Sequence, residues 1–236
     1  MTDSSAGVLL ALDTSSATIG YALHDGAMLL AEAAWLGQRQ GTATLLGAVW
    51  QSLAAVGKTK ADLAAIAVAT GPGSFSGLRV GLGIAKGLAL GLSVPIVGIP
   101  TLEVTAAPFI AFASRGGVIC ALVAAGRERY AYAVYKNHDG ALSCIHDVAH
   151  GTAQEIVQAL AAYPASLVCG EMDVVAETAF AAVPGAIVLS AGVRGRRPGA
   201  LADLGWRRIL TGEVDDLVML EPIYLHTIPA VRNGKG

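Results

Sequence analysis

Apolar and polar positions alternate along this chain in short blocks whose period changes from two to about three and a half and back. Val8 to Asp13 is a continuous apolar run of strand length that ends in Asp13-Thr14-Ser15-Ser16, which predicts a buried strand followed by a polar loop. Thr18 to Leu23 and Met28 to Trp35 continue it as a hairpin-like meander turned by Asp25-Gly26. From Thr42 to Val56, Leu45, Leu46, Val49, Leu53 and Val56 recur on one helical face. Ala64 to Ala69 reads as a short buried strand that delivers the chain to Gly71-Pro72-Gly73-Ser74 and a glycine-rich apolar helix reaching Leu92. Pro95 to Gly98 predicts another strand, and Thr101 starts the next helix.

The same order recurs in the second half. Val118 to Val123, Tyr130 to Tyr135 and Ala141 to Val148 read as strands, with His138-Asp139-Gly140 as a turn. Thr152 to Ala162 (helix), Ser166 to Cys169 (strand), Val174 to Ala182 (helix) and Ala186 to Leu189 (strand) follow. A βββαβαβ unit therefore appears twice, which is the plan of the actin, hexokinase and Hsp70 (ASKHA) superfamily of α/β folds with two related lobes. The break at Ser114-Arg115-Gly116-Gly117 places the boundary between residues 105 and 117, giving lobes over 1–107 and 108–236. Arg194 to Gly199 is basic and glycine-rich, which predicts a mobile loop, and a final helix spans Ala200 to Thr211.

The glycine-rich helix poses an energetic question. Each interior glycine costs about 1 kcal/mol relative to alanine, so a helix that carries several must offset that by letting another backbone come close. At about 100° per residue, Gly73, Gly77, Gly81, Gly83, Gly87 and Gly91 fall within an arc of roughly 160°. Arg79 and Lys86 fall on the opposite side, beside Phe75 and Leu90. Two uses of the glycine face stay open: packing on the protein's own sheet, or docking a partner. The expected partner or dimer interface comprises Gly73, Ser74, Phe75, Gly77, Leu78, Arg79, Gly81 and Lys86. Gly71 to Ser74 could also cradle an anion at a helix start, or serve as a turn with Ser74 as cap; it lacks the Lys-Ser/Thr pair of a P-loop.

Composition narrows the function. Hydrophobic residues make up 54% and charged residues 14% of 236, and alanine and glycine inflate the first figure, so close packing accounts for it. The most apolar run, Val80 to Val97, is interrupted by glycines, Lys86 and Pro95, and no signal peptide is expected from Met1 to Gly7, which carries Asp3. A cytoplasmic protein without a membrane span is the expectation. The net charge of −2 gives no general affinity for nucleic acid. Cys120, Cys144 and Cys169 form no CxxC pair and read as reduced core thiols.

Asp13, Thr14 and Ser15 offer hydroxyls and a carboxylate of the kind that faces a nucleotide phosphate and its magnesium ion in this superfamily, or that satisfies backbone groups in a turn. The candidate second phosphate loop, Cys169-Gly170-Glu171-Met172, puts an acid and a bulky methionine where small residues are wanted. His146 and His150 have HxxxH spacing, but on a strand their rings would stand about 13 Å apart, too far for a shared metal. No catalytic residue set and no metal site is expected.

Leu10-Ala11-Leu12-Asp13-Thr14-Ser15, Gly71-Pro72-Gly73-Ser74-Phe75-Ser76-Gly77-Leu78-Arg79, Ala85-Lys86-Gly87-Leu88-Ala89 and Leu220-Glu221-Pro222-Ile223-Tyr224-Leu225 together resemble the TsaB (YeaZ) family. That family is the bacterial accessory component for threonylcarbamoyladenosine synthesis on tRNA and is a shortened relative of the catalytic subunit TsaD. TsaD binds a metal through two histidines of an HxEGH-like segment; the equivalent stretch here is Thr101-Leu102-Glu103-Val104-Thr105, with threonines at both histidine positions. The resemblance implies a non-catalytic subunit that homodimerises in isolation, binds TsaD and lets the ATPase TsaE join, with tRNA reached through TsaD. It implies no cofactor on the chain alone; ATP and magnesium belong at an interface with partners, where Asp13, Thr14 and Ser15 would be a vestigial or interfacial nucleotide loop. Two motif positions depart from the family: Gly41-Thr42-Ala43 stands where a His-Ser-Glu segment is common, and Ala124-Ala125-Gly126-Arg127 lacks the family's aspartate. The competing readings are a stand-alone ATP-dependent kinase or hydrolase acting through Asp13, and a metalloprotease, which would require bound metal.

Overall fold

A computed structural model describes residues 7–37, 41–113 and 116–224. The chain divides into two compact units, residues 1–100 with 197–222, and 101–196 with 223–236. In the first unit the strands are β1 (Val8–Asp13), β2 (Thr18–His24), β3 (Leu29–Leu36), β4 (Leu63–Ala69) and β5 (Ile96–Ile99), in the sheet order β3-β2-β1-β4-β5. The β1–β2 and β2–β3 pairs are antiparallel, and β1–β4 and β4–β5 are parallel. Helices α1 (Gly41–Ala55) and α2 (Phe75–Leu92) cover one face: Leu45, Val49, Leu53, Leu82, Ala85 and Ala89 pack with Val8, Leu10 and Leu12. The opposite face of β1 and β4 meets the final helix α8 (Pro198–Leu210), where Gly205 lies against Leu9, Ala67 and Val97. Burial on both faces is why β1 and β4 read as unbroken apolar runs rather than alternating ones.

The second unit repeats the plan. Its strands are β6 (Val118–Ala124), β7 (Arg129–His138), β8 (Ala141–Thr152), β9 (Ser166–Gly170) and β10 (Ala186–Val188), in the order β10-β9-β6-β7-β8. Pairing is again antiparallel for β6–β7 and β7–β8 and parallel for β6–β9 and β9–β10, so β6 takes the place of β1 and β9 that of β4. On one face α3 (Thr101–Ala106) and α4 (Ile110–Ala113), joined by a 3-10 turn, pack Leu102, Ala106 and Ala113 on Ile119, Ala121 and Val123. On the other, α5 (Ala153–Leu160) and α6 (Val174–Ala181) pack Ile156, Leu160 and Phe180 on Cys120 and Leu122. The short α7 (Ala191–Arg194) completes the unit. The duplicated ASKHA layout expected from the sequence is the observed topology.

Three details differ from expectation. The units do not meet at 107/108: α3 belongs with the second unit, because its apolar side is buried on β6, and the chain from Arg197 to Pro222 returns to the first. Part of the expected break, Ser114-Arg115, lies outside the described residues. Strands β7 and β8 run longer than their apolar patterns, since pairing continues to Arg129↔Thr152 through two register shifts in β8 that interrupt the alternation. Arg194 to Gly199, expected as a mobile loop, is instead held by ion pairs: Arg194 to Glu177, Arg196 to Glu171 and Arg197 to Glu32. All three cysteines are free thiols. Cys120 and Cys169 are buried, and burial alone pushes the Cys120 thiol up to about 12, which makes it inert.

Candidate functional site

The polar loop after β1 and the first turns of α2 form one structure. Strand β4 ends at Ala69, Gly71 takes φ +108°, the Gly71–Pro72 peptide is cis, and Ser74 caps α2 by accepting the Gly77 N–H at 3.3 Å. The Ser74 N–H donates to the Ser15 carbonyl at 2.6 Å, and the Thr14 hydroxyl donates to the Gly77 carbonyl at 2.7 Å. One Asp13 carboxylate oxygen accepts the Ser15 N–H at 2.9 Å and the Ser15 hydroxyl at 2.6 Å. Asp13, Thr14 and Ser15 are all buried. A β-carbon at Gly73 would fall on the Ser15 carbonyl, one at Gly77 on the Thr14 carbonyl and one at Gly81 on the Thr14 hydroxyl. These three glycines, assigned from the sequence to a partner interface, therefore face the protein's own loop. For Gly77 and Gly81, which lie inside α2, close backbone approach and the bonds it permits offset the helix penalty within the chain.

The other half of the glycine arc is different. Nothing lies within 4 Å of a β-carbon built on Gly83, Gly87 or Gly91. Beside them Phe75, Val80 and Leu90 are 53%, 41% and 70% exposed. The Arg79 guanidinium lies 5.2 Å from the Phe75 ring centroid, a cation–π pair on the same outward side. Of the remaining expected interface residues, Ser74 is an exposed cap, Leu78 is buried in the core, and the Lys86 ammonium donates to the Val218 carbonyl at 3.1 Å. Val80, Gly83, Gly87, Leu90 and Gly91 thus replace Gly73, Gly77, Leu78 and Gly81 as the outward stripe. The arc was legible in the sequence, but a helical wheel does not say which half meets the sheet. By length and composition α2 is also the one helix among the described residues that could cross a membrane. Its inner side, Leu78, Gly81, Leu82, Ala85 and Ala89, is buried in the fold.

In the second unit the equivalent positions are built otherwise. The β6–β7 turn carries φ of +74° at Gly126, +51° at Arg127 and +58° at Glu128. At the end of β9, the Glu171 side chain accepts the Ala124 N–H at 3.2 Å and pairs with Arg196 at 3.0 Å, so the candidate second phosphate loop is filled by its own acid. A cavity of about 340 Å³ lies beside Tyr130, Thr152, Ala153 and Asp173 at the starts of α5 and α6. Burial pushes the Tyr130 hydroxyl above its ordinary value. His146 and His150 both sit on β8, where His146 approaches the Tyr132 hydroxyl at 3.4 Å and His150 approaches Arg129 at 3.3 Å. At the positions of the absent histidine pair, Thr101 and Thr105 are buried, and the Thr105 hydroxyl donates to the Thr101 carbonyl at 2.8 Å within its own helix. Among the described residues no group of three His, Cys, Asp or Glu side chains could hold a metal ion.

A family model described as TsaD, tRNA N6-adenosine threonylcarbamoyltransferase, matches residues 36–187. Over 94 residues the chain is 39% identical to the tRNA threonylcarbamoyladenosine biosynthesis protein TsaB of Escherichia coli (strain K12), covering 40% of each chain. Over 123 residues it is 37% identical to the same-named protein of Haemophilus influenzae, covering 52% of this chain and 51% of that one. The chain thus aligns with about half or less of the length of these curated relatives. In fold it is similar to the crystal structure of a Pseudomonas aeruginosa protein described as having similarity to peptidase YEAZ. That likeness has a TM-score of 0.74 at 24% identity and covers 93% of this chain and 99% of that one.

Proposed function

The chain belongs to the TsaD family, tRNA N6-adenosine threonylcarbamoyltransferase, and to its TsaB/YeaZ members, and from that premise we propose that it is a non-catalytic docking subunit for threonylcarbamoyladenosine synthesis on tRNA. Its partner in this reading is TsaD, the assembly is completed by the ATPase TsaE, and a second copy of the chain takes TsaD's place in isolation. The observation that carries the reading is the outward stripe of α2. Phe75, Val80 and Leu90 are exposed around three glycines with open space above them, so the backbone of another helix can approach closely there. The Phe75–Arg79 pair adds an aromatic and a guanidinium, the residue types that dominate interface energies.

The lack of chemistry of its own is part of the proposal. Ser15 bonds to Asp13, Thr14 and Ser15 bond to the start of α2, and Thr101 and Thr105 stand in place of the metal-binding histidines. Nucleotide and magnesium then belong to the assembly, and the isolated chain should give no binding heat with millimolar ATP and magnesium by calorimetry. A clear isotherm would favour the ATP-dependent kinase or hydrolase reading instead.

The docking test is Gly87→Leu. The substitution projects a side chain into open space, so thermal unfolding should stay near wild type, while affinity for TsaD falls at least about tenfold, equivalent to about 1.4 kcal/mol. Unchanged co-purification with TsaD would sink the α2 assignment. Failure of the unsubstituted chain to bind TsaD would sink the partner.

A further inference from the structure

At the carboxyl ends of β6 and β9 the second unit holds an oxyanion pattern whose occupant comes from the chain itself. Gly170 leaves β9 with φ +100°, and a β-carbon there would overlap the Leu122 carbonyl. The next N–H, that of Glu171, donates to the same carbonyl at 3.0 Å. The chain is thereby turned so that the Glu171 side chain folds back over the end of β6. One carboxylate oxygen accepts the Ala124 N–H at 3.2 Å and the other accepts from the Arg196 guanidinium at 3.0 Å. The Arg196 side chain is only 2% exposed, whereas Glu171 keeps 25% of its side chain open to solvent. Arg194 fastens the same segment a second time, pairing with Glu177 and donating to the Met172 carbonyl at 3.1 Å.

A carboxylate bridging a guanidinium and a main-chain N–H is the arrangement with which proteins hold carboxylates and phosphates in general. A guanidinium buried to this degree is strongly destabilised when its counter-charge is taken away without replacement. We propose that Glu171 is the resident occupant of an oxyanion site formed by Arg196 and the Ala124 N–H, and that the segment Ala191–Arg196 is a strap that loosens when an outside carboxylate or phosphate takes that place. Gly195, between the two arginine fastenings, has nothing within 4 Å of its β-carbon position.

The test uses the isotopically labelled full chain and the Ala124 amide signal, with inorganic phosphate and acetate as probes and chloride at matched ionic strength as the control. Glu171→Gln keeps the shape and an acceptor for Ala124 but removes the competing charge. Its Ala124 amide should respond at concentrations at least about tenfold lower than in the unsubstituted chain, with faster hydrogen exchange across residues 191–196. Acetate acting ahead of phosphate would identify the outside source as a protein carboxylate, and the reverse order a phosphate group. An Ala124 signal silent to both probes up to about 100 mM, well above the range of a specific site, would overturn the proposal. So would equal midpoints in the two proteins, the mark of an adventitious ion only. If Glu171→Gln does not fold, Glu171→Asp retains the charge on a shorter arm. It should then place its midpoint below that of the unsubstituted chain, and an unchanged midpoint would count against the site.

Discussion

The two units share one strand order, but the turn that follows the central strand is built differently in each. After β1, Asp13, Thr14 and Ser15 are buried, Ser15 bonds to Asp13 and Thr14 to Gly77, and the loop is pressed against Gly73 and against Gly77 and Gly81 of α2. After β6, the corresponding turn consists of Gly126, Arg127 and Glu128 in left-handed conformations, and Gly126 has open space around it. The helix that follows the next parallel strand differs too: 18 residues in α2 against 8 in α6. A helix gripped at its start by a buried loop can project a long exposed stripe without depending on that stripe for its own stability. The second unit has no such grip, and the end of its sheet is closed by the Glu171–Arg196 pair instead. The two units therefore share the scaffold, while the long exposed helical stripe belongs to the first.

The sharpest way to break the comparison is to put the same small side chain at Gly77, against the β1 loop, and at Gly126, in the β6–β7 turn. Gly77→Ala would drive a β-carbon into the Thr14 carbonyl, with backbone on both sides unable to yield, and should cost about 3 kcal/mol or more in urea unfolding. Gly126→Ala meets no atom and bears only the strain of its φ of +74°, so about 1 kcal/mol is expected in the same measurement. Equal losses would mean that the α2 glycines are not held by the β1 loop.

The smallest effect concerns the place where the chain passes between units, with Arg196 tied into the second and Arg197 into the first. Burial of Glu32 tends to raise its carboxyl, but hydrogen bonds from Arg197 and the Gly199 N–H outweigh it and hold the value below the usual 4.5. A depressed carboxyl stabilises the fold above its unfolded value, and that contribution is lost as pH falls through the folded value. Stability of the unsubstituted chain should therefore fall more steeply below about pH 4.5 than that of Glu32→Gln. The difference should be about 1 kcal/mol, because solvent screens the exposed Arg197. Parallel acid limbs for the two proteins would remove Glu32 as the anchor.

Most of the scaffold was legible because each strand is a short apolar run between turn residues, and the order of runs in Val8 to Gly98 repeats in Val118 to Leu189. What stayed illegible depended on partners remote in sequence. Arg194, Arg196 and Arg197 read as a mobile basic loop because their counter-charges, Glu177, Glu171 and Glu32, lie 17, 25 and 165 residues away. The six glycines of the helical arc look equivalent on a wheel, and only the position of Thr14 and Ser15 separates the gripped half from the open half. Lys86 looked like a free cation beside Leu90, yet its acceptor is the Val218 carbonyl, 132 residues on.

The first unit is assembled from the two ends of the described chain. Helix α8 covers one face of β1 and β4, the Asp215 N–H donates to the Ile96 carbonyl at 2.9 Å, and the Gly98 N–H donates to the Asp215 carboxylate at 2.7 Å. Residues 101–196, by contrast, supply the whole second sheet without interruption. On the ribosome the first sheet has all its strands by Ile99, yet the unit begun first is completed last, because its covering helix α8 follows the whole second unit. The apolar underside of that sheet, including Leu9, Ala67 and Val97, stays uncovered until Gly205 and its neighbours have been synthesised, while the later-begun unit can already have folded. A nascent chain arrested before α8 would be half native and half a client for chaperones.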